Sequence, residues 1–402
     1  MRALRFLRAS GPLILGASLT RVGYGLVFAL LVPGALSSAE SRDVFQMLYV
    51  QGALVSLLAA SAYARSVNLS AQGLLTRAVV AGYHKFLTLG IVLGAIALWV
   101  FIAPEASLWV RLACSSLLSL GAAATAYSGF AQGCLVGSGG LFGKAFGPVL
   151  YINLAFCILV LPLLWVNASL MWVVGAWVAP QVLVAISVHR AIVGFLRSVT
   201  GHSAVRPGGD VVVRNYLGAT GAVNCASVMV AFNYRERWAI SQGSEVASLG
   251  FLGTRVTELG YQMVYMGLSS APGFVTHVFG FFTRVRRFWV VLSVGLGLVS
   301  LGLAPLALPE RWSWMNFMAA ELFVMPVRFF GMIFLLVLLS RRSVLLYVLA
   351  VGLSTLVTLS CLYVPVVQTD TYGLQAMQAT GAIPLFCIIA HLLRESAREG
   401  RR

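Results

Sequence analysis

Apolar stretches of about twenty residues recur along the whole chain, each ended by a short polar gap. A helix needs roughly 20 apolar residues to cross a hydrocarbon core about 30 Å thick. Helices satisfy their own backbone groups where water cannot reach them, and the only other solution is a closed barrel. Barrel strands are short and alternate in polarity, whereas these runs are long and uniformly apolar. The pattern therefore predicts about twelve spans, over 11–36, 43–64, 78–103, 107–133, 147–166, 168–188, 214–233, 245–269, 288–307, 314–339, 343–366 and 373–393.

Composition agrees: 59% of residues are hydrophobic and the mean hydropathy is +0.90. The charge sharpens the picture. The chain carries 28 Lys+Arg against 12 Asp+Glu, a net charge of +16. In a soluble protein that excess would point to nucleic acid. Here it follows alternate gaps, as the lysine and arginine bias that orients membrane helices requires. With the N-terminus in the cytoplasm, nineteen basic residues fall on the cytoplasmic side. They are Arg2, Arg5 and Arg8; Arg65, Arg77 and Lys144; Arg190, Arg197, Arg206 and Arg214; Arg284, Arg286 and Arg287; Arg341 and Arg342; and Arg394, Arg398, Arg401 and Arg402. Only Arg42, Arg235, Arg237 and Arg311 fall opposite, near outer acids such as Glu40, Asp43 and Glu105. An even number of spans with both termini cytoplasmic is expected, in a bacterial inner membrane, with no nucleic-acid partner. The arginines at the start, followed by Ser37-Ser38-Ala39, also fit a secretory signal. Arg21 interrupts the apolar stretch, so this segment is read as the first helix.

The longest polar interruption, 190–213, divides the chain six spans from six. This predicts an N-terminal lobe (1–189), a basic cytoplasmic linker (190–213), a C-terminal lobe (214–393) and a basic tail (394–402), the repeat architecture of many transporters. Each half opens with a helix, a short charged outer loop and a second helix. The loop is Ser38-Ala39-Glu40-Ser41-Arg42-Asp43 in the first half and Arg235 to Glu245 in the second. No phosphate-binding Walker motif occurs, so ATP hydrolysis by this chain is not expected. Six cysteines stand singly in spans and the five histidines lack ligand spacing, so no metal site, catalytic group or cofactor is expected. His84, beside Lys85, is the one histidine in a span that draws notice. Gly121-Ala122-Ala123-Ala124, and later Gly218, Gly221, Ala222 and Ala226, fit either close helix packing or a cavity wall.

Charges inside spans are expensive and usually face protein or water. Arg21 lies near the middle of the first span. Arg255, Glu258 and Gln262 form a stripe on one face of the eighth, and Glu321 and Arg328 share a face of the tenth. Lys85 and Arg111 lie nearer their helix ends, where long side chains snorkel. Arginine stays charged and its planar fork suits phosphate. Arg21, Arg255 and Arg328, with Asn224 and Gln262, are therefore candidate substrate contacts. Glu258 and Glu321 are candidate coupling-ion sites, because desolvation raises a carboxyl pKa. Protons, sodium or the membrane potential remain open as the driving force.

The stretches 17–67 and 233–274 resemble the opening hairpins of the two lobes in the multidrug/oligosaccharidyl-lipid/polysaccharide exporter superfamily, and most nearly the Wzx-type flippases. Asp43-Val44-Phe45 departs from the family's usual glycine before the second helix. The resemblance implies an all-α polytopic membrane protein with two six-helix lobes, related by a pseudo-twofold and forming a V around a cationic cavity. It implies passage of an undecaprenyl-pyrophosphate-linked oligosaccharide to the periplasmic leaflet during surface polysaccharide synthesis, with membrane lipid and polysaccharide-assembly proteins as partners. Two other readings stand beside it: a cation-coupled, MATE-like antiporter for small amphiphilic compounds, and a membrane-embedded glycan polymerase or acyltransferase.

Overall fold

The structure is a computed structural model that describes residues 2–59, 62–101, 107–138, 140–165 and 169–199. All described elements are helical: α1 (Arg2–Ala35), α2 (Ser38–Ala59), α3 (Ala62–Ala71), α4 (Arg77–Phe101), α5 (Leu108–Gly137), α6 (Phe142–Leu159), a 3-10 turn (Leu161–Trp165) and α7 (Leu170–Val199). Among the described residues, six segments are long and apolar enough to cross a membrane, with α2 and α3 forming one of them over Ser38–Ala71. The protein is a multi-pass membrane protein, and these six segments coincide with the first six spans expected from hydropathy. The expected spans from 214 to 393 lie outside the described residues.

Local chemistry sets several helix ends. Ser37 and Glu40 form a reciprocal capping box: the Ser37 backbone N–H and hydroxyl donate to Glu40 Oε2 at 3.1 and 2.6 Å, and Glu40 N–H points back to Ser37 Oγ at 3.4 Å. This corrects one expectation. The charged segment 38–43 is the first turns of α2 rather than a loop, because an acid at that position satisfies helix N–H groups and the macrodipole. At the opposite end, Gly73 and Gly140 close α3 and α5 with φ of 68° and 71°. That left-handed conformation lets Leu74 N–H reach Leu69 O and Leu141 N–H reach Leu135 O, at 3.0 and 3.2 Å. Hydropathy underestimates two helices. The second span continues to Ala71, so Arg65 stands within α3, and α7 runs through Arg190 and Arg197 to Val199. Polar residues do not end a helix; they mark where it leaves the hydrocarbon.

α5 is the centre of the lobe, with α2, α3, α4, α6 and α7 packed around it, while α1 lies along α6 and the 3-10 turn. In lipid no hydrophobic force draws helices together, so close packing and hydrogen bonds must hold them. Glycines permit the approach. A Cβ at Gly133 would fall on Ser66 Oγ and Tyr63 O, and one at Gly137 on Val67 O. α3 thus lies backbone against backbone on the end of α5. A Cβ at Gly94 would lie 2.5 Å from Leu54 Cδ2 and 2.7 Å from Ser119 Oγ, and one at Gly90 2.6 Å from Leu58 Cδ2, where α4 crosses α2 and α5. Gly121, Ala122, Ala123 and Ala124 are all buried between helices, so packing rather than a cavity wall accounts for that cluster.

Gly133→Ala should lower the thermal midpoint in detergent, since overpacking a tight contact costs roughly 1–3 kcal/mol. Gly129→Ala, on the same helix, should leave it unchanged, because a Cβ there meets nothing within 4 Å. Fluorescence-detected size-exclusion after heating measures both.

Candidate functional site

Of the seven candidate substrate and coupling-ion residues, one falls among the described residues. Arg21 lies near the middle of the apolar stretch of α1, half-buried, and it already engages a neighbour. One turn earlier, Ser18 Oγ is buried without a hydrogen-bond partner among the described residues. Asn224, Arg255, Glu258, Gln262, Glu321 and Arg328 lie outside the described residues.

Near the start of the same lobe's core, α1 meets α7 through aromatic rings. Tyr24 stacks on Trp177 with centroids 5.9 Å apart, and Phe28 tilts against Trp177 at 4.9 Å. Tyr24 also donates its hydroxyl to the Ala176 carbonyl. Phe28, Val32, Leu98, Cys114, Leu118 and Val173 are wholly buried around them.

A polar network lies beside these rings. Gln51 on α2 is 3% exposed. Its amide donates to Leu118 O at 3.0 Å and reaches Gln181 Oε1 at 3.4 Å, while its carbonyl accepts Trp177 Nε1–H at 2.7 Å. Thr125 on α5 donates to Gln181 Oε1 at 3.3 Å. Gln51 thereby joins α2, α5 and α7 through one buried amide whose two ends are both used. Interhelical bonds of this kind average about 0.6 kcal/mol and reach about 1.7. The space for it comes from Gly121, where a Cβ would lie 2.7 Å from both Gln51 Nε2 and Gln181 Oε1. Sequence reading missed Gln51 and Gln181, since a lone glutamine in an apolar run carries no partner with it. Gly121 was the available signal.

A second polar group joins α4, α5 and α7 in the half of the lobe that includes the start of α4. Tyr127 Oη lies 2.7 Å from His189 Nδ1. The His84 ring stands edge-on to both, with centroids 4.7 Å from Tyr127 and 5.5 Å from His189. A phenol and two imidazoles thus close one polar aromatic junction between the three helices. The notice drawn by His84 in the sequence is thus answered by an aromatic cluster whose other members are His189 and Tyr127. The cluster contains no third ligating group, and no set of three or more His, Cys, Asp or Glu residues that would hold a metal occurs among the described residues.

The charges expected to snorkel take different places. Arg111, at the start of α5, donates Nη2–H to Trp99 O at 3.1 Å and lays its guanidinium 4.7 Å over the Trp99 ring. It therefore caps the end of α4 instead of reaching into water. Lys85 is exposed on α4. Within the described helices the carboxylates are Glu40 and Asp43, both in the opening turns of α2. Among the described residues the buried polar side chains are all neutral: serine, glutamine and asparagine.

No family model matches the chain, and no curated protein is similar to it in sequence. Solved structures are similar in fold. VcmN, a MATE transporter of Vibrio cholerae, matches with a TM-score of 0.65 at 14% identity, covering 99% of this chain and 97% of that one. An outward-facing multidrug resistance MATE family transporter of the MOP superfamily matches with 0.62 at 13% identity, covering 97% and 94%. A MATE in the straight conformation gives 0.62 at 14%, covering 97% and 95%.

Trp177→Phe and Gln51→Leu should each lower the thermal midpoint, by about 1 kcal/mol of stability. The double variant should cost less than the sum, because both remove the same bond. A double-mutant cycle on purified protein tests this. The geometry and the structural likeness together give one conclusion: the chain has the fold of the MATE transporters of the MOP superfamily.

Proposed function

We propose that the protein is an exporter of the MOP type whose substrate is a lipid-linked oligosaccharide with a pyrophosphate headgroup. In this reading twelve helices form two six-helix lobes in a bacterial inner membrane, with both termini cytoplasmic. The headgroup crosses through a cationic cavity by alternating access, and the lipid tail stays in the bilayer. Arg21, Arg255 and Arg328 would contact the headgroup, with Asn224 and Gln262 beside them. Glu258 and Glu321 would bind a coupling ion, and polysaccharide-assembly proteins would supply and receive the glycan.

The observation that carries the anionic substrate is the charge inside the described spans. Arg21 stands mid-span, and among the described residues no carboxylate lies deeper than the opening turns of α2. An arginine at that depth favours an anion and repels a cation.

The likeness to MATE transporters supports a second reading equally well: a cation-coupled antiporter for small amphiphilic compounds.

Deleting the gene separates the two. The flippase reading expects loss of surface glycan and lipid-linked repeat units trapped on the cytoplasmic leaflet. Changed drug susceptibility with intact surface glycan would instead establish the antiporter. In complementation, Arg21→Ala should lower glycan export at least about tenfold with normal membrane insertion, equivalent to about 1.4 kcal/mol. Arg21→Lys should restore part of it, since charge returns without the planar fork.

A further inference from the structure

A hollow of about 640 Å³ opens between α6 and α7 at the end of the lobe that carries Arg77 and Arg197. From that end inward, α6 lines it with Lys144, Pro148 and Tyr151, and antiparallel α7 with Arg190 and Ser187. It is an open groove rather than an enclosed cavity.

The glycines of this hollow differ from those that seat α3 and α4. A Cβ at Gly143 or Gly194 would meet nothing within 4 Å, and one at Gly147 would find only Tyr151 Cε2, at 3.9 Å. No neighbouring helix needs these positions bare. Side chains there would fill the hollow, and their absence keeps it open.

Charge then selects the occupant. Lys144 and Arg190 are exposed on the lining, and neither forms an ion pair or hydrogen bond among the described residues. The sequence holds no Asp or Glu between Glu105 and Asp210, so neither of these helices supplies a counter-charge. Two like charges share one cup, while the Ser187 hydroxyl beside them is spent on Leu183 O at 2.8 Å. An ammonium and a guanidinium on one lining, without an acid, suit a phosphate. Deeper along the same helices the surface turns apolar. Leu154 and Ile158 on α6 are 45% and 63% exposed, and Leu183 and Ile186 on α7 are 42% and 43% exposed. Leu183, Ile186 and Arg190 are spaced i, i+3, i+7 and so share one helix face. A cationic cup at one end, continued by an apolar rail towards the membrane centre, has the polarity profile of a single lipid molecule.

We propose that the α6–α7 groove binds the phosphate headgroup of an anionic membrane lipid, held by Lys144 and Arg190, with its chain along Leu183 and Ile186. The site is independent of what the protein exports.

Native mass spectrometry of the full-length protein, released from detergent doped with phosphatidylglycerol or phosphatidylcholine, tests it. Wild type should retain phosphatidylglycerol preferentially, and Lys144→Ala and Arg190→Ala should each weaken retention about fivefold. Gly194→Leu keeps both charges and fills the cup, and it should also abolish the preference. Lys144→Arg with Arg190→Lys should preserve it. Retention of both lipids alike by wild type, or equal retention by wild type and Lys144→Ala/Arg190→Ala, would overturn the site. Full displacement of the lipid by millimolar inorganic phosphate would overturn the lipid assignment, leaving a site for free phosphate alone.

Discussion

Everything in the described lobe depends on how closely other backbones can approach α5. In water a helix bundle is driven together by its apolar faces. In lipid that drive is absent, and contact must be won by shape. Gly133 and Gly137 bring the α3 backbone directly onto α5, and Gly121 leaves room for two glutamine side chains. Once these contacts are set, the positions of α2, α4 and α7 follow, because each packs on a different face of the same rod. The polar bonds are consequences of that approach. Gln51 reaches Leu118 O and Trp177 only because nothing at position 121 stands in the way.

The same residue type does opposite things a few turns apart. At Gly133 the missing side chain lets protein in, and at Gly143, Gly147 and Gly194 it keeps protein out. Composition cannot separate these two uses. The distinction belongs to what lies opposite, and that is a property of the assembled bundle.

This marks how far the sequence could be read. The six spans were legible because the cost of exposing polar groups to lipid is written into every stretch of twenty residues. Their ends were less legible: Arg65, Arg190 and Arg197 look like loop residues yet stand on helices that continue past them. The expected outer loop at 38–43 was misread for a related reason, since Glu40 caps a helix as well as it decorates a loop. Arg21 was legible as a lone charge in an apolar run. Gln51, Gln181, Tyr127 and His189 were not, because each acquires its meaning from a partner dozens of residues distant or more. Charge outliers announce themselves in one dimension, whereas paired neutral groups do so only in three.

The long separation between Gln51 and its partners has a consequence during synthesis. Its amide is bonded to Leu118, Trp177 and Gln181, which lie 67, 126 and 130 residues further along the chain. At ribosomal speeds of about 5–20 residues per second, the carbonyl of Gln51 waits roughly 6–25 s for the indole that will satisfy it. Until then the bonds that tie α2 to α7 cannot form. Maturation of this lobe is therefore timed by the arrival of its last helix.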